Sequence, residues 1–284
     1  MRRTLYALIA ALVALPATRA VADTYFASGF ENPPYTAGQP LFGQDGWDVQ
    51  VVGGSALGPN AKVTTTQPKS GLQSLEVKGS DLTPLTSIGY NVGVYRRYVN
   101  LDVAGASNPV IRVAADLRID GPQTTQTDDR MTGDLFSANL KAFSLDGSLG
   151  EFSLSSDGHV YVYTDNDSYL FGAPAALGVY HRLALDLDFT NKTTTFSIDG
   201  TKLGSIPFTD GYTSSVLTHG TLLAYGLNPD SLHRDLTPYT AYYDNFSIAS
   251  VPEPSTFVLA AVAALGMAGA AARRRRVESS GRST

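Results

Sequence analysis

The 284-residue chain carries 21 Lys and Arg against 26 Asp and Glu, a formal net charge of −5, and it has no cysteine, so any exported fold must stand without disulfide staples. Eight of those cations and two of those anions lie in the two terminal segments. The span 23–251 is left with 13 positive and 24 negative groups, a net of −11, which excludes nucleic acid as a natural partner and weighs against heavily sulfated or uronic-acid-rich polymers.

In chain order, Arg2 and Arg3 form a basic start, Leu5 to Leu15 an apolar stretch, and Ala20-Val21-Ala22 a small-x-small site with cleavage expected before Asp23. Residues 1–22 therefore read as a signal peptide, to be removed by signal peptidase. The flanks of a twin-arginine signal are missing.

Residues 23–250 then read as strands nearly throughout. Ile111, Val113, Ala115, Leu117 and Ile119 alternate with Arg112, Ala114, Asp116, Arg118 and Asp120, the two-residue period of a strand with one buried face. Leu183, Leu185, Leu187 and Phe189 alternate in the same way with Arg182, Ala184, Asp186 and Asp188. Further strands are expected at 24–30, 47–52, 61–66, 72–78, 90–100, 134–145, 149–155, 159–164, 193–199, 221–226 and 240–249. Asp-Gly pairs at 146–147, 157–158 and 199–200 suit turns that need positive φ. No ten-residue stretch here has helical apolar spacing, and no repeat has a constant period. The expected fold is all-β, an antiparallel two-sheet sandwich in one domain.

After that domain come Pro252-Glu253-Pro254, an apolar run from Phe257 to Ala272, and four arginines, Arg273, Arg274, Arg275 and Arg276, with residues 277–284 as a short cytoplasmic tail. An apolar helix rising about 1.5 Å per residue falls slightly short of a bilayer core of roughly 30 Å. It can still hold the chain in a membrane as a single transmembrane helix, with the arginines on the cytoplasmic side. This order of motif, helix and basic cluster over 251–276 resembles the PEP-CTERM signal of Gram-negative bacteria. The resemblance implies an exosortase as processing partner, cutting near the Pro-Glu-Pro, and release to the cell surface or extracellular matrix.

Two regions of the domain also resemble a concanavalin-A-like or laminin-G-like jelly roll. One is the segment from Glu151, with its strand, Asp157-Gly158 turn, strand and then the long strand begun by Tyr180-His181. The other comprises the opening FENPPYTAGQPLFGQDGWDV and the closing AYYDNFSIASVPEP. That fold hosts lectins, glycosidases, lyases and adhesive domains, so it implies no activity by itself. Glycoside hydrolysis requires two carboxylates flanking the bond. The resembled hydrolases carry them as Glu-x-Asp-x-Glu or Glu-x-Asp-x-x-Glu, and neither spacing occurs here, the domain's glutamates being only Glu31, Glu76 and Glu151. No catalytic residue is assigned, and a glycan-degrading enzyme and a purely structural spacer are the rival readings.

Asp128-Asp129 and Asp165-Asn166-Asp167 could offer oxygen to calcium, but neither continues into a full binding loop, so ordinary turn acids is the reading and no cofactor is expected. His159, His181, His219 and His233 are too scattered for zinc, and His181 reads as a satisfied, partly buried histidine. Trp47 reads as a core anchor, and Tyr242 and Tyr243 as structural. The ligand-binding candidates are Tyr161 and Tyr163, which stand opposite Val160 and Val162 and so should face outward as a platform for a sugar ring, together with the outward charges Arg112, Asp116, Arg118, Asp186 and Asp188. The expected role is a non-enzymatic exported protein, with an exopolysaccharide as the partner of the jelly roll.

Overall fold

Where the sequence alternates apolar and polar side chains, the backbone is extended. The computed structural model describes residues 22–49, 61–85, 90–106, 110–123, 136–163, 168–208, 212–227 and 237–251. They form strands β1 (Thr24–Ser28), β2 (Trp47–Val49), β3 (Ala61–Thr64), β4 (Ser74–Lys78), β5 (Thr83–Leu85), β6 (Tyr90–Asp102), β7 (Val110–Asp120) and β8 (Phe136–Ser144). The series continues with β9 (Ser148–Ser155), β10 (His159–Tyr163), β11 (Ser168–Pro174), β12 (His181–Asp188), β13 (Thr193–Ile198), β14 (Thr201–Pro207), β15 (Val216–Leu227) and β16 (Thr240–Ser250). The signal peptide, the Pro-Glu-Pro motif, the apolar run, the arginine cluster and both acidic turn clusters lie outside these residues. No helix among the described residues is long and apolar enough to cross a membrane.

Every pairing is antiparallel, in two sheets. The first runs β14-β13-β12-β7-β16-β4-β3, with β1 beside the second half of β16; the second runs β11-β10-β9-β8-β15-β6-β2, with β5 on β6. The three Asp-Gly pairs turn β8 into β9, β9 into β10 and β13 into β14. Gly158 and Gly200, at φ 81° and 79°, adopt the left-handed conformation that glycine tolerates best. Three strands were not expected from the sequence: β5, β11 and β14. The last is an outermost strand, TKLGSIP, whose residues are mostly exposed or half-buried on either face, so it shows no alternation.

Inward-facing residues of both sheets share one core: Val113, Ala115, Leu117, Leu183, Leu185 and Leu187 from the first, and Phe136, Ala138, Leu140, Phe152, Leu154, Val160, Val162 and Leu222 from the second. Trp47 anchors one end of it, buried against Phe246 at 5.2 Å and Phe30 at 5.8 Å between ring centroids. Its Nε1–H donates to Tyr35 Oη at 2.9 Å, so the indole's polar atom is satisfied. Burial raises the Tyr35 phenol to about 12. β1 and β16 lie side by side, and Asp23 and Ser250 clasp their ends: the Asp23 N–H donates to Ser250 Oγ and the Ser250 N–H to the Asp23 carbonyl, each at 2.8 Å.

Candidate functional site

The seven residues that the sequence offers as ligand-binding do not converge. Arg112, Asp116, Arg118, Asp186 and Asp188 stand on the outer face of the first sheet, whereas Tyr161 and Tyr163 belong to β10 in the second. They occupy opposite sides of the sandwich.

On the first sheet the charges bind one another. β7 and β12 are neighbours with Arg112 directly opposite Asp186, and the guanidinium grips that carboxylate through two bonds of 2.6 and 2.7 Å. Arg118 grips Asp120 at 2.6 and 3.1 Å. Asp116 accepts from Asn245 Nδ2 at 2.7 Å and lies 3.6 Å from Arg182. Asp188 caps its turn, accepting from the Thr190 and Asn191 amides. The buried Asp244 accepts from the amides of Lys69, Ser70 and Asn245, and burial raises its pKa despite those bonds. Tyr242 reaches Glu76 on the same face, while Tyr243 packs in the core with its hydroxyl on the Leu223 carbonyl. His181 is satisfied at both nitrogens, by Asp199 at 2.8 Å and the Ala176 carbonyl at 3.1 Å. With its donors and acceptors turned on each other, this face offers a ligand little.

The second sheet presents something else. Tyr161 does stand opposite Val160 and Val162, but it is only 3% exposed and its hydroxyl donates to Asp157 Oδ2 at 2.6 Å, so it locks the β9–β10 turn instead of forming an open platform. Tyr163 stacks on it, with centroids 6.5 Å apart. Its phenol lies beside those of Tyr225 and Tyr161 and beside Glu151, and burial above all raises its pKa far above the usual value. From Tyr163 the strand register draws one straight row: Tyr163 opposite Glu151, Glu151 opposite Lys141, Lys141 opposite Thr221, Thr221 opposite Arg96, and Arg96 opposite Asp48. With strands about 4.8 Å apart, the row crosses six strands over about 24 Å. Asn139, Ser153, Ser137 and Ser155 line its flank, all completely buried although they face away from the core.

Burial of so many polar groups demands partners. Some have them: Glu151 is held by Lys141 Nζ at 3.1 Å and by Asn139 Nδ2, and Ser153 Oγ donates to Asn139 at 3.2 Å. The middle of the row does not. Thr221 Oγ1, His219 Nε2 and Arg96 Nε are buried without a hydrogen-bond partner, at residues 0% exposed for Thr221 and 8% for His219. His219 sits between the rings of Phe143 (4.6 Å, stacked) and Tyr98 (5.0 Å) with Nδ1 on Thr218 Oγ1 at 3.0 Å. Burial first, then the charges of Arg96 and Lys141, lower its pKa to about 4, so the ring is neutral at physiological pH. These orphaned polar atoms thus lie beside the aromatic faces of Phe143 and Tyr98.

As for chemistry, Glu151 has no second carboxylate beside it among the described residues. Asp48 is four strands away, about 19 Å, which exceeds the separations that glycoside hydrolysis uses, and Asp157 is engaged at the β9–β10 turn by the Tyr161 hydroxyl and the His159 amide. The described residues also include no group of three His, Asp or Glu side chains able to hold a metal ion. The sequence reading missed Glu151, Lys141, Asn139, Thr221, His219 and Arg96. The one available signal was the polar side of β8, β9 and β15, where Asn139 and Lys141, Glu151 and Ser153, and His219 and Thr221 sit at two-residue spacing.

Comparison with known proteins bears on both parts of the chain. The model of the PEP-CTERM protein-sorting motif matches residues 250–276. No curated protein sequence matches the chain significantly. Among solved structures, the fold resembles an endo-1,3-β-glucanase from Streptomyces sioyaensis at 12% identity, covering 84% of this chain and 100% of that one with a TM-score of 0.52. It also matches the carbohydrate recognition domain of Emp47p, at 9% identity over 83% and 99% of the two chains with a TM-score of 0.46. A sialidase matches at 12% identity and a TM-score of 0.43 over 72% of this chain, which spans only 17% of that protein. The chain thus carries a PEP-CTERM sorting motif, the mark of an exosortase-processed surface protein, behind an all-β jelly roll of the concanavalin-like kind.

Proposed function

We propose that the jelly roll is a non-enzymatic glycan-binding domain, and that its binding face is built on the row from Tyr163 to Asp48 on the second sheet. The observation that carries this is the trio of buried, unpartnered polar atoms at Thr221, His219 and Arg96. Leaving each unpaired costs about 1–3 kcal/mol; Thr221 and His219 are 0% and 8% exposed, so a sugar hydroxyl, which both donates and accepts, relieves that cost once neighbouring side chains move aside to admit it, whichever nitrogen of His219 carries the proton. Tyr98, Tyr163 and Phe143 supply ring faces along the same track. The distance of about 19 Å between Glu151 and Asp48 supports binding over hydrolysis by that pair, and the sorting motif supports an extracellular polysaccharide as the partner. A glycan array followed by titration tests this. Thr221→Val, which keeps the side-chain shape and removes the unpaired hydroxyl, should weaken binding about tenfold while holding or raising the melting temperature, and Arg112→Ala on the opposite face should leave affinity unchanged. Release of new reducing ends by the wild type, abolished in Glu151→Gln, would overturn the non-enzymatic reading. Absence of binding to any glycan would leave the spacer reading.

A further inference from the structure

β15 carries an extra residue where it passes β8: Leu217 faces Ser144 and His219 faces Phe143, so Thr218 stands between them as a bulge. The Thr218 hydroxyl is thereby brought within 3.0 Å of the Phe143 carbonyl oxygen, 3.5 Å of the Ser144 carbonyl oxygen and 3.0 Å of His219 Nδ1. A carbonyl oxygen can only accept, so the hydroxyl proton has to point at the carbonyls. Aimed at the imidazole instead, it would leave the lone pairs of Thr218 Oγ1 facing those of the carbonyls. Thr218 Oγ1 therefore accepts from His219, and Nδ1 carries a proton. A neutral imidazole has one N–H, so Nε2 is left bare as an acceptor. It is buried without a partner, in a residue 8% exposed.

The surroundings narrow what can reach that nitrogen. Tyr98, His219 and Phe143 lie side by side across β6, β15 and β8, so the imidazole has an aromatic ring on each flank. Phe143 is held by Lys141 Nζ, 4.9 Å from its ring centroid. Tyr98 is 41% exposed and tied by a long bond, Arg96 Nη1 donating to its hydroxyl at 3.3 Å, so it is the flank that can swing aside. The positive charges felt at the ring are Arg96 and Lys141, which disfavour an ammonium as the donor. We infer that His219 reads an unmodified hydroxyl: Nε2 accepts a hydrogen bond from a neutral sugar that enters past Tyr98, and the site rejects the same sugar with that hydroxyl methylated or acylated. This rests on the glycan-binding reading of the same face and adds the form of sugar it takes. An O-methyl or O-acyl group has no proton to give, so it leaves Nε2 unpaired as well as demanding more room.

Nitrogen-15 NMR of the histidine rings at pH 7 tests the tautomer with no ligand present. A proton on His219 Nδ1 and none on Nε2 is expected, and a proton on Nε2 would overturn the inference while leaving glycan binding untouched. Isothermal titration calorimetry tests the recognition, with cellotetraose and maltotetraose as neutral probes and, for the tighter binder, its derivatives methylated at O-2, at O-3 or at O-6. At least one derivative should bind about tenfold more weakly than its parent. In His219→Phe, which keeps a ring between the same flanks, that penalty should disappear, with melting curves confirming that the variant folds. A penalty of the same size in wild type and His219→Phe, or none for any derivative, would overturn the inference and leave glycan binding intact. Failure of both parent sugars to bind would overturn both.

Discussion

His219 is a base kept from its proton by its surroundings: the rings of Phe143 and Tyr98 desolvate it, and the Arg96 and Lys141 cations repel a further charge. Its folded pKa of about 4 lies below the unfolded value of 6.5, so between those limits the unfolded chain binds more protons and stability rises with pH. The contribution is complete above pH 6.5 and is lost as pH falls toward 4. Allowing for partial solvent screening, it amounts to about 1–2 kcal/mol. Asp244 works the other way, since its raised pKa favours the folded state at low pH. The difference between wild type and His219→Phe isolates the histidine. Urea midpoints measured from pH 4 to 7 should climb more steeply for the wild type, and parallel curves would show that the imidazole is not held neutral.

At the scale of the strand, β12 separates the two kinds of outward and inward residue cleanly. Leu185 is fully buried and should cost about 2–5 kcal/mol as Leu185→Ala. Asp186 forms a surface pair with a half-exposed Arg112, and Asp186→Ala should cost no more than about 1 kcal/mol. Equal losses in denaturant midpoint would mean that β12 is covered on both faces. The same contrast explains what was legible in the sequence. β7 and β12 announce themselves because their inward residues are uniformly apolar while charges recur on the outward side, so polarity tracks direction even where outward Ala114, Asp116 and Ala184 are themselves buried. In β9 every residue is buried, yet Glu151, Ser153 and Ser155 are as polar as any wet face, so nothing in the pattern separates a covered outward face from a solvated one. Tyr161 illustrates the limit: alternation gave its direction correctly, but the Asp157 bond and its burial arise from a turn and from chain elsewhere. The row from Tyr163 to Asp48 joins residues more than a hundred positions apart, through a strand order that no local spacing reveals. Exposed outermost strands such as β14 were lost for the opposite reason, having no buried face to impose a period.

For the whole molecule, the sorting motif begins two residues after the last strand, at Pro252. Mass spectrometry of the protein exported from a host that has an exosortase should find neither residues 1–22 nor Arg273 to Arg276. Glu253→Ala should leave the arginine cluster attached and the chain in the inner membrane; an intact tail on the mature wild-type protein would overturn the processing scheme.

The clasp between Asp23 and Ser250 has a mechanical side. Pulled apart by its two ends, the domain would open at β1 and β16, whose ladder runs away from that very point, so bonds would break one pair at a time, as in a zipper. Held instead at the second sheet and pulled beyond Ser250, it carries the load along β16, which is bonded on one side to β7 and on the other to β1 and β4. Those ladders must slip together. A strand placed in mid-sheet at the C-terminal end makes the same fold weak to tension between its own termini and strong to a pull on that end against the rest of the sandwich.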